Sequence, residues 1–405
     1  GDFKFWSAAY ICIWLMVIDK RILIFERSIF GKFLWWELSL MFLVGSYFVF
    51  ITPWDDPYSS YRLPTQRLPL RTLVGLIRFT EITLSFYCFF YLFRNKLIDI
   101  DFYIKTIFWF VLITITVGLF DFLVTKGAIR EFLMPSHYAL SRFTGLVFEP
   151  RGVGQLLALS MFSFIALGHN INKYKTMSII GSILCLLGIA FSFSSTAIIY
   201  PALTLLFFFL LGYANWKFIV GTLVFYVIAL FILLNNQQFV DHQTRRLTEV
   251  GLEMEIAKIH GVPDFVNRFE VFDRTALAFL YFNPQYAILG VGPNTINIPS
   301  GKYLSPLDIE VYKGHIDTSP VNFFLTIISR SGLVGLSFIL IGIARVYIKT
   351  KAFTNNNLTK LLFLFTIYSF MYYNLLYLMI LGIICGIILA YEDQNDFKYK
   401  NLRQI

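Results

Sequence analysis

Long apolar runs dominate this sequence, and they limit the folds that are available to it. A helix needs about 20 apolar residues to cross the hydrocarbon core of a bilayer. The chain has 405 residues, of which 57% are hydrophobic and 15% charged, whereas soluble domains have about 25% charged residues. We therefore expect an all-α, polytopic integral membrane protein, not a soluble enzyme, a disordered scaffold or a secreted disulfide domain. The apolar runs lie at about 5–18, 34–52, 73–93, 105–124, 153–171, 176–194, 196–214, 218–235, 321–347, 358–372 and 374–391.

These runs predict eleven transmembrane helices, or twelve if a helix precedes Gly1. Basic residues in short loops favour the cytoplasmic side. The alternating short segments hold 12 lysines and 5 arginines, and they place the C-terminus in the cytoplasm. Because the chain is a membrane protein, its formal net charge of +9 predicts contact with anionic membrane lipid and not with nucleic acid. The short segments are 19–33, 94–105, 172–175, 215–217, 345–360 and 392–405.

The segment 236–320 is the only long polar stretch, and it predicts a folded cap on the periplasmic side. It separates helices 1–8, in 1–235, from helices 9–11 and a cytoplasmic tail, in 321–405. Apolar residues within it recur at helical spacing and predict an amphipathic helix from Asp264 to Phe282. Asp264 is the expected N-cap of that helix, and Asn283 with Pro284 the expected stop.

The predicted outer face carries ten arginines and fewer lysines. A guanidinium group binds phosphate or carboxylate with two parallel hydrogen bonds, which the ammonium group of lysine does not do. Arg142, Glu149 and Arg151 lie just before the helix expected from residue 153, and a helix N-terminus attracts anions. An interfacial loop with snorkelling arginines is the alternative reading of this segment.

Further candidate residues lie in the cap and just after it. Arg268 and Arg274 fall on the expected amphipathic helix, where a solvated charged face is the alternative. Gly290 and Gly292 mark a turn at which the backbone can approach a ligand closely. Arg330 lies inside a predicted span, where an unpaired arginine costs about 2.5–3.5 kcal/mol on insertion scales. This cost indicates a functional role or a buried partner such as Asp121, and an ion pair that only joins helices remains open.

A proton acceptor is also expected on the outer face. His315 and Asp317 lie close together just before the span that begins near 321, and histidine is a base near neutral pH. A structural or solvated histidine is the alternative. No motif for a metal or a nucleotide occurs, so we expect neither a metal nor a cofactor.

Five short patterns occur in a fixed order along the chain. The chain resembles the superfamily of O-antigen polymerases and O-antigen ligases, which are bacterial envelope glycosyltransferases, in the order of these patterns. The resemblance implies a fold like that of type-C glycosyltransferases, with undecaprenyl-pyrophosphate-linked oligosaccharides as donor and acceptor. The patterns are Arg142-x-x-Gly145, Asn267-Arg268, Gly290-x-Gly292, Asn322-x-x-Leu325 and Ser331-Gly332-x-x-Gly335.

The resemblance also implies roles for individual residues. Arg142 and Arg268 match the arginines that hold pyrophosphate in the family. With the residue-level arguments, the expected pyrophosphate ligands are Arg142, Arg151, Arg268, Arg274 and Arg330. The expected substrate contacts are Asn322, Gly290 and Gly292, and the expected catalytic groups are His315, Asp317 and Glu149.

The implied activity is that of an O-antigen polymerase, which joins lipid-linked repeat units at the periplasmic face of the inner membrane. A chain-length regulator protein is a candidate partner. The alternative is the ligase, which transfers the glycan to lipid A core. The family's ligases carry a histidine immediately before the asparagine of the fourth pattern, where this chain has Val321. A transporter of lipid-linked polysaccharide is less favoured, because charges cluster at the outer surface and no half-repeat occurs.

Overall fold

Helices are the only regular structure in the part of the chain that the structure describes. The computed structural model describes residues 29–56, 67–125, 128–129, 143–145, 150–168, 172–192, 194–211, isolated positions between 221 and 248, 258–305, 308, 320, 322–352, 356–371 and 380–390. Its elements are α-, 3₁₀- and π-helices. The all-α class predicted from the sequence is confirmed.

The helices follow the predicted apolar runs. Among the described residues, four helices are long and apolar enough to cross a membrane, at 30–51, 70–94, 100–121 and 323–349, and five shorter apolar helices accompany them. The run at 5–18 lies outside the described residues, and the run at 218–235 is helical at its few described positions. The α-helices are α1 (Ile29–Ser46), α2 (Leu70–Arg94), α3 (Ile100–Leu123), α4 (Pro150–Ser163), α5 (Lys175–Phe191), α6 (Ser195–Leu210), α7 (Val271–Phe282), α8 (Tyr286–Leu289), α9 (Phe323–Ala352), α10 (Asn356–Met371) and α11 (Ile380–Ala390).

Short helices of other types extend or connect these elements. Helix α1 continues as a π-helix over Tyr47–Ile51, and α4 continues as a π-helix over Phe164–Gly168. In the described part of the chain, 3₁₀-helices lie outside the predicted spans at Asn172–Tyr174, Val266–Arg268 and Pro299–Tyr303.

The expected helix from Asp264 to Phe282 is wrong in its first third. Residues Val266–Arg268 form a 3₁₀ turn, and α7 begins only at Val271. Phe269 and Glu270 between them have ψ angles of 158° and 150°, which are extended and interrupt a helix. The Asn267 side chain stabilises the turn, since its amide accepts from the Ile259 N–H and donates to the Ile259 carbonyl. The predicted end is confirmed, because α7 ends at Phe282.

The chain forms two compact units, and each unit is built from segments that are separate in the sequence. One unit comprises 1–95, 245–353 and 369–405, and the other comprises 96–244 and 354–368. In the second unit, α4 packs on α5, and small residues such as Gly118 and Gly188 admit the ring of Phe143 and the side chains of Ile115 and Leu157.

In the first unit, α1 packs along α9 and also contacts α2. Aromatic pairs join these helices, including Phe30 with Phe86 and Phe33 with Phe338. At the end of α1, Trp54 contacts the rings of Phe279 on α7 and Tyr286 on α8, so the cap helices are fixed to the first described span. The candidate site lies in this unit.

Candidate functional site

Residues 290–301, which we call the inserted loop, leave the cap helices and pack between three spans of the first unit. The loop is buried: Val291 and Thr295 are 0% exposed, and Ile298 is 1% exposed. Pro293 lies against two glycines, Gly45 on α1 and Gly75 on α2. A Cβ atom at Gly75 would come within 2.9 Å of the Pro293 backbone, so a larger residue there would displace the loop. The absence of side chains at both glycines therefore makes room for the loop.

The inserted loop is hydrogen-bonded to α9 at a break in that helix. Gly332 has φ 70° and ψ −170°, which interrupts α9 one-third of the way along. A broken helix leaves carbonyl groups without their usual donors. Here the N–H of Val291 donates to the Ser329 carbonyl (2.9 Å), and the N–H of Gly292 donates to the Arg330 carbonyl (3.2 Å). Non-helical backbone is tolerated among membrane spans only when its polar groups are satisfied in this way.

The glycines of the third and fifth patterns make this contact possible. Gly290 and Gly292 have φ angles of 78° and 98°, in the left-handed region that favours glycine. A Cβ atom at Gly290 would lie 2.6 Å from backbone atoms of Arg330 and Ser331, and one at Gly332 would overlap the Ile288 carbonyl. Both segments thus need glycine to bring two backbones together. The substrate contacts expected of Gly290 and Gly292 stay a prediction.

The loop meets α9 well below the start of that helix. Ser331 is eight residues after Phe323, which corresponds to about 12 Å at 1.5 Å per residue. Gly75 is five residues after Leu70, or about 8 Å along α2. The inserted loop therefore packs about 8–12 Å inside the starts of α2 and α9, whereas the sequence predicted all of 236–320 as an outer cap.

Two buried arginines converge on one residue of the inserted loop. Arg330 Nη2 on α9 donates to Asn294 Oδ1 at 3.0 Å. Arg71 Nε at the start of α2 donates to the main-chain oxygen of Asn294. Arg71 is 5% exposed and Arg330 is 8% exposed. We call these three residues the arginine clamp. Asn294 can serve both arginines because its φ of 57° turns the backbone at that point.

A carboxylate on α1 accompanies the clamp. Glu37 is 1% exposed, and its Oε1 accepts a hydrogen bond from the hydroxyl of Ser331, the residue after Arg330. Glu37 therefore lies beside the turn of α9 that carries Arg330, and opposite charges at short range attract each other. The second oxygen, Oε2, has no hydrogen-bond partner among the described residues. Arg330 itself has a polar partner in the half-buried Asn294.

Asp121, the partner proposed for Arg330 from the sequence, is used locally. Its carboxylate accepts from the Thr125 hydroxyl and from the Ile129 N–H (3.0 Å), so it stabilises the end of α3. In the structure, Asn294 of the inserted loop is a hydrogen-bond partner of Arg330.

Two of the predicted arginines lie in the cap elements with different environments. Arg268 is exposed at the end of its 3₁₀ turn. Arg274 on α7 is 1% exposed and forms an ion pair with Asp308, which is 2% exposed, at 3.5 Å. The ion pair gives Arg274 a role in the fold of the cap, and its expected role in binding pyrophosphate stays a prediction.

Asn322 begins α9. Its Oδ1 accepts from the Leu325 N–H at 3.1 Å, which is the contact of an N-cap residue. Its own N–H lies 3.4 Å from Asp273 Oδ1 on α7, so Asn322 also joins the span to the cap. Asn322-x-x-Leu325, the fourth pattern of the sequence, therefore caps the start of α9 in addition to its expected role in binding substrate.

Arg142, Glu149, His315 and Asp317 lie outside the described residues, and Arg151 is described only as part of the backbone of α4. Their roles stay predictions.

Sequence reasoning missed three members of the site: Glu37, Arg71 and Asn294. Glu37 carried a usable signal, because an ionisable residue inside an apolar run is a candidate functional residue. Arg71 was one of ten outer arginines with no feature that distinguished it. Asn294 follows the Gly290-x-Gly292 pattern by two residues, yet nothing in the sequence pairs it with arginines that are distant along the chain.

The fold and the site define a class of protein: an all-helical membrane protein in which a broken span, an inserted loop and buried arginines meet. The family model for O-antigen ligase matches residues 180–340, a range that includes the inserted loop and the break in α9. This match supports membership of the chain in the O-antigen polymerase and ligase superfamily and confirms the resemblance seen in the sequence. The family is a group of glycan-transferring enzymes that act on lipid-linked polysaccharide. No curated protein matches the chain.

Proposed function

We propose that the chain is an O-antigen polymerase of the bacterial inner membrane. It transfers the growing glycan from one undecaprenyl pyrophosphate to the next lipid-linked repeat unit, on the periplasmic side. The observation that carries this proposal is the arginine clamp, which joins two buried guanidinium groups to the inserted loop. The inserted loop lies within the residues that the family model matches. Buried arginines are expensive near membrane spans, and an anionic substrate group is a reason to keep them.

The transfer requires stabilisation of a leaving group. The bond between the anomeric carbon and the pyrophosphate oxygen breaks, and its electron pair stays on the pyrophosphate. A hydroxyl oxygen of the acceptor sugar forms the new bond to that carbon. Fixed guanidinium groups stabilise the charge that develops on the leaving oxygen, and two hydrogen bonds from each match the geometry of a phosphate. In this proposal Arg71 joins the expected ligands Arg142, Arg151, Arg268, Arg274 and Arg330.

The acceptor hydroxyl must also lose its proton. His315, Asp317 and Glu149 are the proposed acceptors, and the departing pyrophosphate is a further one. His315→Gln keeps hydrogen bonding but removes basicity, so it separates positioning from proton transfer. If His315 is the base, turnover of the Gln variant falls at least about 100-fold while binding of the donor is kept. Near-normal turnover would assign the proton to one of the other groups.

A ligase is the second candidate, because the matching family model is described as O-antigen ligase. Against it stands Val321, which occupies the place of the histidine that precedes the asparagine in the family's ligases. In a polymerase the acceptor is another lipid-linked glycan, whereas in a ligase it is lipid A core.

Lipopolysaccharide from a strain that lacks the gene distinguishes the two candidates. Loss of a polymerase leaves core carrying a single repeat unit, because ligation continues. Loss of a ligase leaves core alone. Re-expression of the wild-type chain should restore the full ladder. A normal ladder in the deletion strain would contradict both candidates.

A further inference from the structure

Glu37 is a buried carboxylate inside a membrane span. It lies on α1, is 1% exposed, and sits fourteen residues before the end of the candidate span at Ile51. This distance corresponds to about 21 Å along the helix, so Glu37 lies well inside the span and not at its end. A carboxylate at such a depth is retained at a cost, so its presence calls for a function.

The surroundings of Glu37 connect it to one residue of the clamp. Its Oε1 accepts from the Ser331 hydroxyl, and a Cβ atom added at Gly335 would overlap both Ser331 and Glu37 Oε2. Ser331 directly follows Arg330 and directly precedes the break at Gly332. The carboxylate therefore fixes the one turn of α9 from which Arg330 extends.

The charge of Glu37 adds to this mechanical effect. The hydrogen bond to Ser331 brings the carboxylate close to the neighbouring Arg330, and opposite charges at short range attract, while Asn294 Oδ1 accepts from Arg330 Nη2 on the side of the inserted loop. An arginine side chain has many accessible rotamers, and two partners on different elements restrict them. A restricted guanidinium loses less entropy when it binds an anion.

We infer that Glu37 is a positioning residue, which holds Arg330 in the orientation that binds the pyrophosphate of the donor lipid. Glu37 itself does not touch the substrate. The inference rests on the proposed function, because it requires Arg330 to bind pyrophosphate.

The test is a double-mutant cycle on the purified full chain in detergent. The dissociation constant for undecaprenyl pyrophosphate is measured for the wild type, Glu37→Gln, Arg330→Gln and the double variant. Glutamine keeps an acceptor for the Ser331 hydroxyl but removes the charge. We expect Glu37→Gln to weaken binding about tenfold, within the range of coupling between neighbouring charged residues. In the Arg330→Gln background the same change should have no further effect.

Two further variants separate positioning from a general loss of stability. Glu37→Asp keeps the charge and should recover part of the lost affinity. Glu81→Gln makes the same chemical change within the neighbouring candidate span α2, away from the clamp, and should bind as the wild type does. Thermal unfolding of all variants reports any general loss of stability. A loss of stability caused by Glu37→Gln would be the same whether residue 330 is arginine or glutamine.

The outcomes are distinct. If Arg330→Gln binds undecaprenyl pyrophosphate as tightly as the wild type does, the proposed role of Arg330 fails. If Arg330→Gln weakens binding but Glu37→Gln does not, or if the two losses add fully, Glu37 does not act through Arg330 and the inference is overturned. Loss of coupling in the double variant, together with recovery in Glu37→Asp, supports it.

Discussion

Arginine and lysine differ most where a planar anion must be held by two donors at once. Arg71→Lys keeps the charge at the clamp but removes the Nε donor that reaches Asn294 and the paired donors for a phosphate. We expect most of the polymer to be lost at normal protein level, as seen in the lipopolysaccharide ladder. Arg67→Lys is the matched control, since Arg67 is exposed four residues earlier and should give a normal ladder. Equal ladders for both variants would contradict a role for Arg71 in binding.

A second residue-scale expectation concerns the buried pair of Arg274 and Asp308. Arg274→Met leaves the Asp308 carboxylate buried without its counter-charge, which costs about 3–5 kcal/mol. Adding Asp308→Asn removes that charge while keeping an acceptor for the Ser305 N–H, so stability should partly recover. Thermal unfolding in detergent measures both effects.

The exposed pair of Lys258 and Asp264 serves as the control for that experiment. Its side chains are 57% and 83% exposed, and such pairs contribute about 0–1 kcal/mol. Lys258→Met should therefore barely change the unfolding temperature. A loss of polymer in the double variant at restored stability would favour the predicted role of Arg274 in binding pyrophosphate over a purely structural one.

Residue types in the site were more predictable than their contacts. The cost of burying Arg330 predicts a partner from the sequence alone, but not whether that partner is Asp121, Asn294 or Glu37. Partners of this kind depend on which helices are neighbours, and periodicity along one chain carries no information about neighbours. The same reason explains why Arg71 could not be singled out among the outer arginines.

At the scale of elements, the break in α9 is the feature on which the inserted loop depends. Gly332→Ala places a Cβ atom against the Ile288 carbonyl and forces alanine into a backbone conformation, φ 70° and ψ −170°, that is essentially limited to glycine and costs about 1–3 kcal/mol. We expect a lower unfolding temperature and loss of polymer, because the loop can no longer pack on α9.

Gly382→Ala is the matched control for the break. Gly382 lies in α11, and the nearest atoms to an added Cβ atom are at 3.5 Å, which is ordinary contact. Alanine in a helix is favoured over glycine by about 0.5–1 kcal/mol, so stability should be equal or higher. If both variants behaved alike, the break at Gly332 would not be needed for the packing of the loop.

The sequence predicts the long apolar helices, but it does not predict the turns and breaks that interrupt helices. The apolar runs predict α2, α3 and α9 with errors of a few residues, because a span must be long and apolar throughout. The helix expected from Asp264 fails where the Asn267 side chain bonds to the Ile259 backbone, a contact between two loop segments. The break in α9 leaves no trace in hydropathy, since glycine is common in membrane helices.

For the whole molecule, the inserted loop and the pattern of basic residues together predict which positions a reagent can reach from each side of the membrane. In a chain whose native cysteines are replaced, Asp264→Cys should react with a membrane-impermeant maleimide added outside spheroplasts, because Asp264 is exposed on the cap, with 83% of its side chain accessible. Thr295→Cys should not react, because Thr295 is 0% exposed inside the loop.

A cysteine at Asn401 should react only after the membrane is permeabilised, since the lysine-rich segments predict a cytoplasmic C-terminus. Denaturant should make all three positions reactive, which shows that the cysteines are present and intact. Labelling of the Asn401 cysteine in sealed spheroplasts would overturn the orientation, while labelling of Thr295→Cys alone would overturn the insertion of the loop. The two results are independent, because orientation follows from charge in the short loops and insertion follows from contacts with Gly45 and Gly75.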